Sequence, residues 1–272
     1  MSNKVEIAKL AMDNRKRIID MIYYAKAGHP GGSLSIIDIL TAIYELDVDF
    51  NNKSRTRVVF SKGHAVPAQY AVLHQKGFIS DEEMHTFRTI NSRLQGHPHI
   101  LDIPETDATT GLLGQGLSLA VGMAIAKKRD KSPHHVWAIV GDGEIQEGQI
   151  WEALMEAPHY NLDNLILVVD YNKLSSSGDV NQVINLEPLD KKLEAFNWDV
   201  HVIDGHNFDE ILEVVNLAKK GTGKPIAIIA NTVKGKCVSF MENNAKWHSS
   251  PLTDEEYKIA IENIESAKEA IK

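Results

Sequence analysis

The sequence predicts an α/β protein with a mostly parallel sheet and helices on both faces of that sheet. Short β-branched and apolar runs alternate with longer segments of helical periodicity along the 272 residues. The short runs do not alternate between apolar and polar residues, so both faces of each strand are expected to be covered. Alternation of strands and helices favours right-handed crossovers between parallel neighbours.

Two periodicities define the predicted elements. Apolar residues three and four positions apart predict helices at Lys4–Ala27, Ser35–Leu46, Pro67–Lys76, Gln115–Arg129, Gly148–His159, Phe208–Lys219 and Asp254–Ala270. Continuous β-branched runs predict strands at Arg57–Phe60, Val136–Val140, Leu165–Asp170, Val200–Ile203 and Ile226–Asn231. The polar stretches Lys173–Asn185 and Lys234–Pro251 are long enough to be functional loops. No repeat or low-complexity linker interrupts the sequence, so residues 1–272 are expected to form a single domain.

Composition and charge exclude several classes of protein. Apolar residues make up 43% of the chain and charged residues 24%, which excludes a disordered chain. The 29 Lys and Arg residues against 37 Asp and Glu residues give a net charge of −8, which argues against nucleic acids and anionic membranes as partners. Cys237 is the only cysteine, so no internal disulfide can form. Because the sequence shows neither a signal peptide nor a membrane-spanning apolar run, a cytoplasmic protein is expected.

Polar residues that follow two neighbouring strands indicate a site for a metal and a diphosphate. Gly141-Asp142-Gly143 follows one predicted strand, and Asn172 follows the next. The carboxyl ends of parallel strands meet at the edge of the sheet where ligands bind. An oxygen donor from each strand, with the backbone carbonyl of Leu174, can hold Mg²⁺ or Ca²⁺. The two glycines allow the backbone to approach a phosphate without a Cβ atom in the way.

Two other phosphate-binding patterns do not fit the residues present. A Rossmann dinucleotide site needs Gly-x-Gly-x-x-Gly, and the third glycine position is occupied by Gln146. The Gly-x-x-x-x-Gly-Lys-Ser/Thr pattern of P-loop proteins does not occur in the sequence. Asp142, followed thirty positions later by Asn172, is therefore the basis of the site prediction.

The Gly-Asp-Gly and Asn172 pattern resembles the thiamine diphosphate motif, and further motifs resemble the transketolase family. In chain order these are Gly28-His29-Pro30-Gly31-Gly32-Ser33, Ser61-Lys62-Gly63-His64-Ala65, Gln95-Gly96-His97-Pro98, Thr110-Gly111-Leu112-Leu113-Gly114-Gln115-Gly116 and Asn244-Ala245-Lys246-Trp247-His248. The motifs run from residue 28 to residue 248 and keep the order of the family. The chain is therefore similar to the diphosphate-binding part of a transketolase over most of its length.

The resemblance implies a role for each matching residue. Asp142, Asn172 and the carbonyl of Leu174 would bind the divalent cation, expected to be Mg²⁺ with Ca²⁺ or Mn²⁺ as substitutes. The residues expected to contact thiamine diphosphate are His64, Gly111, Leu113, Gly141, Gly143, Asn172 and His248. The sugar substrate would meet His29, His97 and His248. Histidines suit this role because they bind hydroxyl groups and exchange protons near neutral pH.

Glu147 has two interpretations. A glutamate in the first turn of a helix is favoured by the helix dipole. In transketolases the matching glutamate lies at the interface between subunits and hydrogen-bonds a second glutamate that activates the cofactor, so the resemblance implies a catalytic role for Glu147. Two positions depart from the family pattern, because Cys237 and Ser249 stand where glycine is usual.

The expected function is that of the N-terminal subunit of a split transketolase. The resemblance covers only the diphosphate-binding domain, so the pyrimidine-binding and C-terminal domains are expected on a partner chain in an α₂β₂ assembly. With that partner the enzyme would transfer a two-carbon ketol unit from a ketose phosphate to an aldose phosphate, as in the pentose phosphate pathway.

Three alternatives remain open. The first is an α-type subunit of a 2-oxo-acid dehydrogenase, over which the three Gly-His motifs favour transketolase. The second is an enzyme similar to 1-deoxyxylulose 5-phosphate synthase, which turnover of pyruvate would reveal. The third is a non-catalytic module that binds the cofactor.

Overall fold

The computed structural model describes residues 4–272, in which a parallel β-sheet lies between two layers of helices. The strands are β1 (Arg57–Phe60), β2 (Val136–Gly141), β3 (Leu165–Tyr171), β4 (Leu174–Ser175), β5 (Gly178–Asp179), β6 (Asp199–Asp204) and β7 (Ile226–Asn231). The main sheet has the order β1-β2-β3-β7-β6, and all its neighbours are parallel. The short strands β4 and β5 form a separate antiparallel ribbon.

The helices divide into two layers around this sheet. They are α1 (Lys4–Ala25), α2 (Pro30–Leu46), α3 (Val66–Gln75), α4 (Asp81–Met84), α5 (Gln115–Arg129), α6 (Gly148–His159), α7 (Val180–Val183), α8 (Leu189–Ala195), α9 (Phe208–Lys220) and α10 (Asp254–Glu269). Buried residues of α1, α2, α3, α9 and α10 join one face of the sheet in one apolar core. Buried residues of α5, α6 and α8 join the opposite face in a second core.

Strand β3 shows why the strand sequences do not alternate between apolar and polar residues. Ile166 and Val168 point into one core, whereas Leu165, Leu167 and Val169 point into the other, and all five are fully buried. Burial of each of these side chains contributes about 1.5–3 kcal/mol relative to exposure. A strand in the middle of a two-sided layer therefore needs apolar residues at every position, which confirms the predicted fold class.

Most predicted elements match the structure within two residues, and helix α2 is the main exception. It begins at Pro30, five residues before the predicted start at Ser35. Proline suits the first position of a helix, because an N–H group at that position would have no hydrogen-bond partner within the helix. The Gly31 backbone lies against the Lys234 side chain and the Trp247 carbonyl, so tertiary packing stabilises this first turn. The sequence analysis also missed the β4–β5 ribbon and the short helices α4, α7 and α8.

Within residues 4–272, no helix is both long enough and apolar enough to span a membrane. Cys237 is partly buried and is not in a disulfide. Its backbone φ is 76°, in the left-handed region that favours glycine, which explains why a glycine suits this position.

A buried ion pair joins the two N-terminal helices to the sheet. Both terminal nitrogens of Arg15 in α1 donate to the two carboxylate oxygens of Asp38 in α2, over 2.5 and 2.6 Å. His206, after β6, donates from Nδ1 to Asp38 over 2.8 Å and accepts at Nε2 from the Val233 N–H over 2.9 Å. Burial alone would raise the pKa of Asp38, but Arg15 and His206 lower it to about 2. The network therefore fixes four chain segments around one carboxylate.

Asp38→Ala is expected to lower the free energy of unfolding by about 3–5 kcal/mol, because it leaves the buried Arg15 guanidinium unpaired. Urea denaturation followed by circular dichroism measures the change. The control is Asp209→Ala, which removes an exposed partner of Lys4 at 2.7 Å. That change is expected to cost less than about 1 kcal/mol.

The difference in the free energy of unfolding between wild type and Asp38→Ala should decrease at low pH. The pKa of Asp38 is lower in the folded state than its unfolded value of about 3.9, so its stabilisation is present above that value. The difference should shrink as the pH falls from about 4 towards the folded pKa of about 2. A difference below about 1 kcal/mol at pH 7 would contradict the role of this pair.

Candidate cofactor and metal site

A cavity of about 230 Å³ lies at the carboxyl edge of the sheet. The sequence-predicted residues that line it are His64, Leu113, Gly141, Asp142, Gly143, Asn172, Leu174 and His248. Four parallel strands deliver side chains to it, since His64 follows β1, Asp142 follows β2, Asn172 follows β3 and Lys234 follows β7. Parallel strands place all their carboxyl ends at one edge, which brings residues far apart in sequence together.

The metal-binding candidates Asp142 and Asn172 are both buried. The Asp142 carboxylate accepts from the backbone N–H groups of Gly143, over 2.7 Å, and Lys173, over 2.5 Å. The Asn172 side-chain carbonyl accepts from the N–H of Leu174 over 3.1 Å. These bonds fix both side chains at the cavity wall.

Electrostatics at Asp142 favour a bound cation. Burial, and next the negative charge of Asp170, raise the pKa of Asp142 to about 6. Residues 4–272 hold no cluster of three or more His, Cys, Asp or Glu side chains that could bind a metal. A site here would therefore combine one carboxylate with an amide and a carbonyl oxygen, all donors suited to a hard cation such as Mg²⁺.

Two buried lysines at the cavity, Lys62 and Lys234, were missed by the sequence analysis. Lys234 Nζ donates to the Leu174 carbonyl over 2.7 Å and to His248 Nδ1 over 3.1 Å. No carboxylate in the described part of the chain forms an ion pair with Lys234. Burial, and next the charge of Lys62, lower the pKa of Lys234 to about 8. An ammonium group that lies in a cavity without a directly paired carboxylate is suited to an anion such as a diphosphate.

The second lysine is tied to the sheet through Asp170. Lys62 Nζ donates to the Asp170 carboxylate, which also accepts from Ser35 Oγ at 2.6 Å and Thr232 Oγ1 at 2.5 Å. Asn172 Nδ2 donates to the same carboxylate over 3.2 Å. Asp170 therefore orients the candidate metal ligand Asn172 and the cavity-lining Lys62 together.

Glu144 fixes the loops on the other side of the cavity. Its buried carboxylate accepts from Ser61 Oγ and from the backbone N–H groups of Gly114, at 3.0 Å, and Gly141, at 3.1 Å. Ser61 follows β1, Gly114 precedes α5 and Gly141 ends β2. One side chain thus sets the spacing of three segments that line the site.

Three of the predicted histidines form one cluster. The ring centroids of His29 and His64 are 5.2 Å apart, those of His29 and His248 are 5.5 Å apart, and those of His64 and His248 are 5.1 Å apart. Burial, and then nearby cations, lower the pKa of His29 to about 4, of His64 to about 2 and of His248 to about 3. All three are therefore neutral at pH 7, when an imidazole can both donate and accept a hydrogen bond.

The His29 ring also has an unused polar atom. Its Nδ1 is buried and has no hydrogen-bond partner among residues 4–272. Buried polar atoms are normally paired, so this atom is suited to a ligand group.

His97 and Gly111 lie beside this cluster, outside the cavity lining. Gly111 has a φ of 150°, and a Cβ atom there would lie 3.1 Å from the His97 ring. Glycine at this position therefore permits close contact between the loop and His97. A Cβ on Gly63 would lie 2.8 Å from Thr110 Oγ1, so the loop also touches the turn that carries His64.

Glu147 lies apart from the cavity lining. It is exposed at the N-terminal cap of α6, and its side chain makes no capping hydrogen bond. It packs against Gly114, next to the loop of the cofactor-site residues. The position therefore leaves the carboxylate free on the surface.

The departure from the family pattern at Ser249 does not disturb His248. Ser249 has a φ of −149°, an extended conformation that any residue adopts. His248 lines the cavity.

Fold and site together define a thiamine diphosphate-binding domain of the transketolase class, and the chain belongs to the transketolase family. Residues 7–267 match the family model described as transketolase, thiamine diphosphate binding domain. The chain is 41% identical over 268 residues to one of the subunits of the apulose-4-phosphate transketolase of Phocaeicola vulgatus, covering 96% of this chain and 95% of that protein. It is 44% identical to the 6-deoxy-6-sulfo-D-fructose transketolase subunit SqwG of a Clostridium species, covering 92% and 93% respectively.

Larger transketolases match this chain over part of their length. The crystal structure of transketolase from Campylobacter jejuni superposes with a TM-score of 0.90 at 36% identity, covering 97% of this chain and 43% of that one. Human transketolase is 37% identical, covering 93% of this chain and 41% of that protein. The chain therefore spans about two fifths of these larger relatives and nearly the whole of the subunits named above.

Proposed function

We propose that the chain is the N-terminal subunit of a split transketolase, active only with a partner that carries the pyrimidine-binding and C-terminal domains. The observation that carries this proposal is the cavity in which neither the Asp142 carboxylate nor the Lys234 ammonium forms an ion pair with a residue of the described range 4–272. A divalent cation bound to a diphosphate supplies a directly bound counter-charge for each of them. Two relatives of similar length are named as transketolase subunits, which supports an enzyme made of two kinds of chain.

The residues present fit thiamine diphosphate with Mg²⁺. Asp142, Asn172 and the second lone pair of the Leu174 carbonyl would hold the cation. The diphosphate contacts proposed are those of Lys234, His64 and the backbone at Gly141 and Gly143, with Gly111 and Leu113 meeting the cofactor through backbone groups. When bound, thiamine diphosphate supplies the nucleophilic carbon that allows the C2–C3 bond of a ketose to break.

The histidines would bind and orient the sugar. His29 and His248 are neutral, so they can donate to one hydroxyl group and accept from another. The unpaired Nδ1 of His29 offers a site for a sugar hydroxyl proton. His97, on the neighbouring loop, would contact the same substrate. The proposed substrates are a ketose phosphate and an aldose phosphate, as in the pentose phosphate pathway, with the protein in the cytoplasm.

An exposed apolar surface beside Glu147 is suited to the partner subunit. Leu112 is 77% exposed, Leu119 of α5 is 44% exposed and Met155 of α6 is 58% exposed. The first twelve residues of α5, from Gln115 onwards, include no charged side chain. Monomeric proteins rarely leave such surfaces uncovered. We propose that the partner covers this surface and that Glu147 meets a partner carboxyl group in an α₂β₂ assembly.

The first experiment captures the tagged chain from its native cell extract with Mg²⁺ and thiamine diphosphate present. A second chain in equal amount is expected, and the purified pair should transfer a ketol unit from a ketose phosphate to an aldose phosphate. Neither chain should be active alone, because the cofactor would lie between them. A stable pair that turns over pyruvate and no ketose phosphate would contradict the transketolase assignment.

Asp142→Ala is expected to abolish the Mg²⁺-dependent part of cofactor binding. In the wild-type pair, thiamine diphosphate at about 100 times its Kd should stabilise the complex by about 2.7 kcal/mol when Mg²⁺ is present. Thermal denaturation with and without Mg²⁺ measures this stabilisation. Asp130→Ala, at an exposed carboxylate after α5, is the control and should bind as wild type does. Retained Mg²⁺ dependence in Asp142→Ala would show that the metal ligand is assigned wrongly.

Glu147→Gln is expected to weaken assembly or activity while the chain stays folded, because the Glu147 side chain is exposed and makes no hydrogen bond within residues 4–272. Leu119→Lys, on the same surface, should weaken association by at least about tenfold, because it buries a charge at the interface. Analytical ultracentrifugation and the ketol-transfer rate measure the two effects. Glu213→Gln on α9, in the opposite helix layer, is the matched control. Wild-type assembly and rate in both surface variants would place the interface elsewhere.

A further inference from the structure

Val233, the residue before the cavity lysine Lys234, is held by a side chain from outside the cavity. Its backbone N–H donates to Nε2 of His206 over 2.9 Å. His206 follows β6, the edge strand of the main sheet, and is not among the residues that line the cofactor cavity. A hydrogen bond from the edge of the sheet therefore ends one residue away from a cation of the candidate site.

The two bonds of the His206 ring fix its tautomer and its orientation. The Asp38 carboxylate is ionised at neutral pH because its pKa is about 2, so it can only accept, and Nδ1 of the ring donates to it over 2.8 Å. The Val233 N–H can only donate, so Nε2 must accept. Both ring nitrogens are thus engaged, and the side chain is only 12% exposed. The ring cannot turn or change its tautomer without breaking one of these bonds.

The turn that carries His206 is itself fixed. The His206 N–H donates to Asp204 Oδ1 over 2.9 Å, and the Gly205 N–H donates to the Asn231 carbonyl over 2.8 Å. A Cβ atom on Gly205 would lie 2.5 Å from Thr232 Cγ2, so this glycine allows the turn to contact the chain at the end of β7. The His206 ring is therefore placed by its own turn, and the backbone after β7 is held against it.

The chain on either side of the cavity lysine is anchored at two further points. Thr232 Oγ1 donates to Asp170 over 2.5 Å, and the Gly235 N–H donates to the Gly31 carbonyl over 3.0 Å. The His206 bond lies between these anchors. It therefore determines the course of the backbone immediately before the lysine, which no carboxylate of the described residues holds by an ion pair.

We propose that His206 is a positioning residue that keeps Lys234 in place for the diphosphate of the cofactor. The inference rests on the proposed function, which assigns Lys234 to the diphosphate, and it adds a residue that acts only through the Val233 N–H. Without an acceptor at Nε2 the backbone shifts, and the ammonium no longer meets the diphosphate at the same distance. Because the same ring bonds Asp38, the packing of α1 and α2 is linked to the affinity for the cofactor.

Two amide substitutions separate the two ring nitrogens. In His206→Asn the side-chain amide nitrogen lies where Nδ1 was, so the donor to Asp38 is kept and the acceptor for Val233 is lost. In His206→Gln the side-chain carbonyl oxygen reaches the position of Nε2, so the acceptor for Val233 is kept and the donor to Asp38 is lost. Each variant therefore breaks one bond of the ring.

The principal test measures the Kd of thiamine diphosphate for the enzyme pair by calorimetry with Mg²⁺ present. His206→Asn is expected to raise this Kd at least about fivefold, whereas His206→Gln should change it less than about twofold. The Tm of the isolated full chain should respond in the opposite order. It should fall by at least about 3 °C in His206→Gln, which loses a bond to a buried charge, and by less in His206→Asn.

Hydrogen exchange provides a readout that needs neither cofactor nor activity. In the isolated full chain the Val233 amide should exchange at least about fivefold faster in His206→Asn than in wild type or in His206→Gln. The matched control is His201→Asn on β6, where the ring lies 3.3 Å from the Asp199 carboxylate. It should leave the cofactor Kd, the Tm and the exchange of Val233 as in wild type.

A cofactor Kd that follows the Tm in both variants would overturn the proposal and leave His206 as a structural residue only. Equal Kd in wild type and His206→Asn would also overturn it. A His206→Gln variant that binds the cofactor at least about fivefold more weakly would do so by itself, so the test stands even if His206→Asn does not fold. A wild-type pair that binds the cofactor and transfers no ketol unit would refute the proposed function, and the Kd comparison would still decide the role of His206.

Discussion

The buried carboxylate of Asp170 is the interaction on which the candidate site depends. It lies near the end of the central strand β3 and accepts hydrogen bonds from α2, from the turn after β1, from Asn172 and from the start of the loop after β7. Burial alone would raise its pKa, but Lys62 and the other donors hold it lower than usual. Removal of this carboxylate would leave the ammonium of Lys62 buried without its counter-charge, and Asn172 and the loop that carries Lys234 would lose their common anchor.

The cavity around that anchor is electrostatically incomplete. Neither the Asp142 carboxylate nor the Lys234 ammonium forms an ion pair with a residue of the described part of the chain, and burial disfavours the charged form of both. Such an arrangement stabilises no fold by itself, and residues whose protonation is perturbed in this way gather at functional sites. A metal and a diphosphate complement both charges at once, which links the energetics of the cavity to the proposed cofactor. The neutral histidines next to it provide uncharged donors and acceptors for sugar hydroxyls.

Much of the fold could be predicted because its elements follow local rules. The strands β1 and β7 and the helices α5 and α6 have the predicted bounds, since their apolar periods agree with their burial. The start of α2 could not be predicted, because glycine is a poor helix former and tertiary packing of Gly31 on Lys234 and Trp247 stabilises this first turn. The ribbon of β4 and β5 was missed because two-residue strands carry no periodicity. At the site, motif residues such as Asp142 and Asn172 were predicted, whereas Lys62 and Lys234 were not, because burial of a lysine leaves no local pattern.

The sequence by itself determined the layered α/β class, the motifs at the strand ends and the family resemblance, because periodicity and short motifs are encoded in neighbouring residues. Only the tertiary structure decided which buried charges lack an ion-pair partner, which histidine rings meet and which surfaces stay exposed. These properties depend on the distance between residues such as His29 and His248, or His206 and Val233, that lie on different segments. The parallel sheet sets those distances, because it collects the ends of separate strands at one edge.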